Sequence, residues 1–564
     1  MVEKCLQKDR AERYQTARDL LADLKNVPRD LEFRDRAEQT LSPSAESSTR
    51  TLKPAIITAD PTPLTADSNL ETGKVKNREI VFFTGAAILL FALVGVGIWY
   101  LSNRPTNANQ IESIAVLPFV NESGNADVEY LSDGMTESLI NSLLQLPKLS
   151  VKARSSVFRY KGKEVEPQKI GKELNVQALL NGRVVQRGDD LTLYLSLDDV
   201  QTGNQIWGKQ YNQKLSDLVS LQSEIAHDVS NNLQTRLSGA DEQRLAKNYT
   251  GNTEAYQLYL KGRFYWNKRT GKDLQKAIEY FEQAIDVDPN YALAFAGLAD
   301  SYALLSPYLA APPREVMPKA RDAAQKALAL DDQLVEAHAA LGLILNTYDY
   351  DFAGAEREFK RAIELNPNYA TAHQFYGELL MYLDRREEAD AEFRRALELD
   401  PLSLIINRQY GENLLYARKY EASIKQFKKT LDFDSNFAAA HVSLSLAYQL
   451  TGRSPESIEE YAKFQELIGE KRNAALIRQS FAEGGWTGFW RAMTGENRLS
   501  NATPYVLASW YAKLGEKDKA FDELNKSYEI REYFLVLLKV DPRLDDLRSD
   551  PRFDDLLRRV GFPQ

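Results

Sequence analysis

The side chains best suited to do chemistry are few and scattered in this sequence. It holds four histidines, His227, His338, His373 and His441, and a single cysteine, Cys5. One cysteine excludes a disulfide within the chain and any thiol-rich metal site. A nucleophile needs a base within hydrogen-bond reach, and a zinc site needs further ligands at short spacing. None of the histidines stands in such a spacing. His338, His373 and His441 each lie four residues before a small residue, Gly342, Gly377 and Ser445. That shared register assigns them to packing, and His227 stands alone. Asp127, Glu129 and Asp133, within NESGNADVEYLSDG, suggest a cation cluster but lack the ligand spacing of a calcium loop. The stretch reads as a turn running into a helix N-cap. The sequence therefore predicts no catalytic residues, no metal ligands and no cofactor.

The elements around these residues fall into distinct segments. The net charge of −9 argues against nucleic acid as a partner, because a nucleic-acid footprint needs a basic face. Over residues 111–240, strand-like and helix-like stretches alternate. SIAVLPF reads as a buried strand and EYLSDGMTESLINSLLQL as a helix with Leu131, Met135, Leu139 and Leu143 on one face. LSVKARSS reads as strand and EPQKIGKELN as a short helix. ALLNGRVVQRGDDLTLYLSLDDVQTGNQIWGKQYN reads as two or three strands, with turn residues at RGDD and QTGN. DLVSLQSEIAHDVSNNLQTRL closes the segment as a helix. Such alternation predicts an α/β layer domain.

A different period governs residues 253–470. Pro367, Pro401 and Ser435 are spaced by 34 residues, Asp332 lies 35 before Pro367, and Pro289 lies 43 before Asp332. Ten residues after these positions stand Ala299, Gly342, Gly377, Gly411 and Ser445, where small residues let two helices approach closely. Ala277, Phe281 and Ala284 recur as Ala355, Phe359 and Ala362, then as Ala389, Phe393 and Ala396, a helical spacing on one buried face. A repeat of this length implies a stacked helical array. Over residues 471–564, YVLASWYAKLGEKDKAFDELNKSYEIRE reads as a degenerate helix pair. DPRLDDLRSDPRFDDLLRRVGF reads as a capping helix for the array.

Near the N-terminus, Ile80 to Leu101 is 22 residues without a charge, roughly 33 Å as a helix and long enough to span a bilayer. Lys74, Lys76 and Arg78 precede it, and Arg104 alone follows closely. That asymmetry predicts a single-pass protein of the bacterial inner membrane, with a cytoplasmic N-terminus and extracytoplasmic C-terminal domains. Residues 33–79, rich in Ser, Thr and Pro, read as a disordered linker.

Several stretches resemble known families. KCLQKDRAERYQTARDLLADLK, within residues 3–25, resembles the last subdomain of bacterial serine/threonine protein kinases, so residues 1–32 read as a remnant of the kinase C-lobe. The phosphate-covering loop, strand lysine, HRD and DFG motifs of a kinase do not occur; DFAG at Asp351 falls in a helical repeat. SIAVLPFVNESGNADVEYLSDGMTESLINSL, VKARSSVFRYKGK and TGNQIWGKQYN resemble the TolB-like N-terminal α/β domain. The 34-residue period and its residue set resemble tetratricopeptide repeats, about six in number. That resemblance implies a concave groove formed by the first helix of each pair, placing Asp300, Gln374, Glu378, Tyr382, Arg408, Glu412 and Tyr416 on it to hold a peptide or protein. The expected protein is thus multidomain: one transmembrane helix, an α/β layer domain and an all-α solenoid. Its expected role is a membrane-anchored interaction scaffold or sensor of a kinase-type signalling protein. The alternative is an incomplete record of an active transmembrane kinase.

Overall fold

The computed structural model describes residues 111–563 apart from 147, 164–165, 234–237, 246, 248, 309 and 496–501. Three ten-residue strands dominate its N-terminal part: β4 (Ala178–Arg187), β5 (Asp190–Asp199) and β6 (Gln205–Lys214). They form an antiparallel meander, turning at Gly188 and Gly203, both in the left-handed region. Shorter strands β1 (Ser113–Val116), β2 (Val120–Asn121) and β3 (Ser150–Val151) complete a six-stranded sheet of order β3-β1-β4-β5-β6, with β2 beside β4. β1 runs parallel to both β3 and β4. Along β5 the side chains alternate: Leu191, Leu193, Leu195 and Leu197 are buried, while Thr192, Tyr194 and Ser196 form a half-buried outer face.

Helices α1 (Glu129–Leu144), α2 (Arg154–Phe158), α3 (Pro167–Leu174), α4 (Leu218–Asn232) and α5 (Gly239–Leu245) accompany the sheet. The LSVKARSS stretch differs from its strand reading. Only Ser150–Val151 pairs in the sheet, and the chain turns at Ala153 into α2, which puts Ser155 and Ser156 on a helix.

Six helical hairpins follow: α6 (Thr253–Trp266) with α7 (Gly271–Val287), α8 (Ala292–Leu305) with α9 (Pro313–Leu330), α10 (Val335–Ile344) with α11 (Phe352–Leu365), α12 (Ala370–Tyr382) with α13 (Arg386–Leu399), α14 (Leu404–Tyr416) with α15 (Tyr420–Phe433), and α16 (Ala438–Leu450) with α17 (Ser454–Leu467). The small-residue rule is visible at Gly342 and Gly377. A Cβ at Gly342 would lie 2.5 Å from the Phe359 ring, and one at Gly377 would lie 3.1 Å from the Phe393 ring. The 35-residue spacing before Pro367 has a physical counterpart. A π-helical turn, Leu345–Asp349, absorbs the additional residue at the end of α10 without disturbing the stack.

Beyond the hairpins, α18 (Lys471–Thr494) is broken at Gly485, whose φ of 56° and ψ of −149° suit glycine alone. Helices α19 (Pro504–Lys513) and α20 (Lys517–Glu529) make a further pair. Two 3₁₀ segments, Tyr533–Leu537 and Pro542–Leu547, lead to α21 (Pro551–Val560), which ends at Gly561.

The membrane part of the expected architecture is corrected. Among the described residues no helix is long and apolar enough to cross a membrane. The longest, α18, carries Lys471, Arg472, Arg478, Glu483 and Arg491. The span expected over Ile80–Leu101, like the kinase-like stretch, the linker and Cys5, lies outside the described residues. The architecture is therefore an α/β layer followed by an all-α array.

Candidate functional site: a cavity between the repeats and the α/β layer

Helix α1 is buried on nearly every side because it serves two partners. Leu131, Met135, Leu139 and Leu143 belong to the core under the sheet. On another side, Gly134 lets the Leu260 side chain of α6 come within 3.0 Å of where a Cβ would stand, and Tyr256 donates to Ser138 at 2.9 Å. Glu137 is 5% exposed and takes Arg263 Nε at 2.8 Å, Asn267 Nδ2 at 2.6 Å and Arg154 at 3.1 Å. Burial alone would push this carboxyl up; the charges of Arg263 and Arg154 outweigh it and hold it below the usual range.

The α/β layer touches the array a second time, much further along the chain. Ser156 donates to Asp400 at 2.5 Å, Ser155 donates to the same carboxylate, and the Leu402 amide donates to Ser156 at 3.0 Å. Lys152 reaches the carbonyl of Glu398 at 3.1 Å. Burial raises the Asp400 carboxyl above its ordinary value despite these donors and the charge of Lys152. The array thus bends around the α/β layer, which holds it at α6 and at the turn between α13 and α14.

Between these contacts lies a cavity of 1910 Å³. Its walls are the first helices of the hairpins, residues 137–163 of the α/β layer, and the C-terminal part of the chain from Trp486 to Arg543. Gln374, Glu378, Tyr382, Arg408, Glu412 and Tyr416 all line it; Asp300 does not. Tyr382 and Tyr416 pack mainly in the core of the C-terminal half. Arg408 pairs with Glu412 on its own helix, and Ser443 donates to Glu412 at 2.9 Å. Glu378 is 1% exposed and receives Gln374, Gln409, Tyr382 and, from the C-terminal 3₁₀ segment, Tyr533. Burial pushes its carboxyl up to about 7, against the Gln374 bond and the Arg408 charge. Asp300 stands within the field of Arg263 and Arg269 and is pushed up to about 6 by burial.

Several buried polar atoms on the cavity wall have no partner: Trp266 Nε1, Arg159 Nη1, Arg408 Nε, Gln409 Oε1 and Trp490 Nε1. At the far end, Trp486 stacks on Trp490 with centroids 5.7 Å apart, and Phe489 meets Trp486 and Trp510 edge-on. The repeat register located wall residues on the first helices only. It carried no signal for Glu137, Arg154 or Arg159, which come from another layer, nor for Tyr533 and the tryptophans beyond α17.

The acidic stretch around Asp127 holds no cation cage. Lys161 bonds Glu129 and sits 2.6 Å from Asp133, while Asn125 caps the turn by accepting the Asp127 amide. Among the described residues no group of three or more His, Cys, Asp or Glu side chains is placed to hold a metal ion.

A helical array of this geometry is a tetratricopeptide-type solenoid, a class that presents an extended concave binding surface. Residues 258–291 and 370–401 match the tetratricopeptide repeat family model, and the C-terminal region is built of such repeats. The chain is 31% identical over 238 residues to "Putative adenylate cyclase 3" of Rhizobium meliloti (strain 1021), covering 42% of this chain and 40% of that protein. It is 30% identical over 136 residues to "Transcriptional regulator HilA" of Salmonella typhimurium, covering 24% of each. The chain therefore spans well under half the length of either relative. Similar solved structures include YrrB, described as a TPR protein with an unusual peptide-binding site (20% identity, 35% of this chain and 97% of that one, TM-score 0.25). PilW, described as a type IV pilus biogenesis factor, is similar at 19% identity (39% and 98%, TM-score 0.32).

Proposed function

We propose that this chain is a protein-interaction module that takes an extended peptide segment of a partner in the cavity between its repeats and its α/β layer. One observation carries the reading: Trp266 on α6 and Arg408 and Gln409 on α14 line one continuous space, and each of them holds a buried polar atom without a partner. An unpaired buried polar group costs free energy, and a peptide backbone offers both an acceptor and a donor to relieve it. The α/β layer, TolB-like in its sequence, serves as one wall of the cavity and fixes the curvature of the array. The kinase resemblance of residues 3–25 and the relative named as a cyclase support placing this module in a signalling protein.

A photo-crosslinking residue in place of Val442, a half-buried position on the cavity wall, tests the reading with a pool of random ten-residue peptides. Capture at 442 and none at Thr192, on the outer face of the sheet, is the expected result. Equal capture at both positions, or none at 442, overturns it.

A further inference from the structure

The cavity is unevenly charged, and its basic end is not neutralised from within. Arg154, Arg159 and Lys163 line it from the α/β layer, and Arg263 and Arg269 line it from the end of α6. Glu137 is committed to Arg154 and Arg263 together. Of the further carboxylates here, Asp400 is committed to Ser155 and Ser156, and Asp434, which lines the cavity next to Phe433, accepts the Asn436 amide at 2.9 Å. Arg269 and Arg159 make no ion pair among the described residues. Arg269 lies 3.6 Å above the Trp266 ring, and Arg263 lies 4.1 Å from the same ring. The indole of Trp266 is thus flanked by two guanidinium groups, with its N–H buried and unbonded. Arg159 rests 5.2 Å from the Phe433 ring with one guanidinium nitrogen buried and unbonded. Asp300 acts on Arg269 through its charge, but no ion pair joins them among the described residues, and burial raises its carboxyl to about 6.

We infer that this end of the cavity is a subsite for the carboxylates of an acidic peptide, received by Arg269 and by Arg159. Guanidinium groups already lying on aromatic rings are held in place, so an arriving carboxylate gains a charge-assisted bond at little ordering cost. The opposite end of the cavity, with Trp486, Phe489, Trp490 and Trp510, offers apolar surface and suits an aromatic or aliphatic residue of the same segment. The inference rests on the peptide-binding reading above and adds the chemistry of the ligand to it.

Fluorescein-labelled hexaglutamate, hexalysine and a neutral Gly-Ser hexapeptide, titrated with the full chain and followed by anisotropy, test it. Hexaglutamate should bind saturably and more weakly as salt is raised; the other two should not bind. Arg269→Gln and Arg159→Gln should each weaken hexaglutamate about tenfold, the loss of one partly buried charge contact. Neither side chain makes an internal ion pair, but each rests on an aromatic ring, so both variants should stay folded and melt slightly below the parent. Arg183→Gln, on the outer face of the sheet, should change nothing. Hexalysine binding equally well, or hexaglutamate binding that ignores both cavity substitutions, overturns the inference. If hexaglutamate fails to bind while the residue at 442 still captures peptides from the random pool, the acidic preference falls and the groove stands. Failure of both removes both.

Discussion

His441 and Glu460 meet 2.5 Å apart across one hairpin, and the other ring nitrogen of His441 faces the Ser435 carbonyl at 3.0 Å. The same pair of contacts recurs at His338, with Glu358 and Asp332, and at His373, with Glu392 and Pro367. At His338 and His441 both partners are acceptors, so both ring nitrogens donate when the rung is fully satisfied. One hairpin uses neutral chemistry in the same register. Asn407 donates to the Pro401 carbonyl at 3.0 Å and accepts from Gln426 at 2.8 Å.

Two of these rungs, at His338 and His441, give the array a pH dependence of known sign. Burial alone would lower the imidazole pKa of His338 and His441, but the glutamate and carbonyl bonds outweigh it and raise both above the unfolded value. Their stabilisation is fully present below the unfolded pKa, about 6.5, and is lost as pH rises through the folded one. Replacing His441 and Glu460 together by Asn and Gln, the chemistry of the Asn407 hairpin, should flatten that decline. Urea midpoints of parent and double variant between about pH 6 and 9 check this. Parallel curves would show that the rung does not titrate in this window.

Gly342 and Gly377 occupy the same place in successive hairpins but differ in room. A methyl at Gly342 would sit 2.5 Å from the Phe359 ring, and one at Gly377 would sit 3.1 Å from the Phe393 ring. Gly342→Ala should cost about 1–3 kcal/mol through overpacking of a fully buried ring, and Gly377→Ala should cost clearly less. Denaturant unfolding of the two variants gives the order directly; a reversed order would show that α10 and α11 yield more readily than α12 and α13.

Asp400 is the latch between the array and the α/β layer. Asp400→Ala leaves the Ser155 and Ser156 hydroxyls without their acceptor, so about 1–3 kcal/mol of stability should be lost. Asp400→Asn should lose less, because a serine hydroxyl can turn to accept. Hydrogen exchange should rise around residues 153–159 and 398–403 before it rises elsewhere. Uniform acceleration across the chain would mean that the latch is part of the global core rather than a local contact.

The relation between Asp400 and Ser156 also marks where sequence reading ends. Periods are local, so the recurrence of Pro367, Pro401 and Ser435 was visible, as were the alternating leucines of β5. The left-handed residues at the hairpin turns, Tyr350, Asp384, Arg418 and Gly452, follow the same 34-residue spacing. They were not visible, because a helix end tolerates four different side chains there and no residue type repeats. Contacts between segments some 245 residues apart obey no period at all. The expected groove residues on α12 and α14 reach the cavity wall. The charges that give its basic end a character come from Arg154, Arg159 and Arg269, outside the register used to find them.

Glu378 offers the sharpest test of the cavity floor. Its carboxyl rises from an ordinary 4.5 to about 7 because burial outweighs the four donors that surround it. A carboxyl raised in the folded state binds its proton more tightly there than in the unfolded chain. Stability is therefore highest below pH 4.5 for this group and falls as pH passes through 7, by about 3 kcal/mol in all. Glu378→Gln keeps the shape and removes the titration. The variant should match or trail the parent near pH 5 and overtake it near pH 8, so that the two stability curves cross. Gln374 and Gln409 then face an amide instead of a carboxylate and can turn their own amides to suit it. Urea unfolding at the two pH values decides the matter. Parallel loss at both would show that the Glu378 charge is fully compensated by its donors and that burial does not govern it.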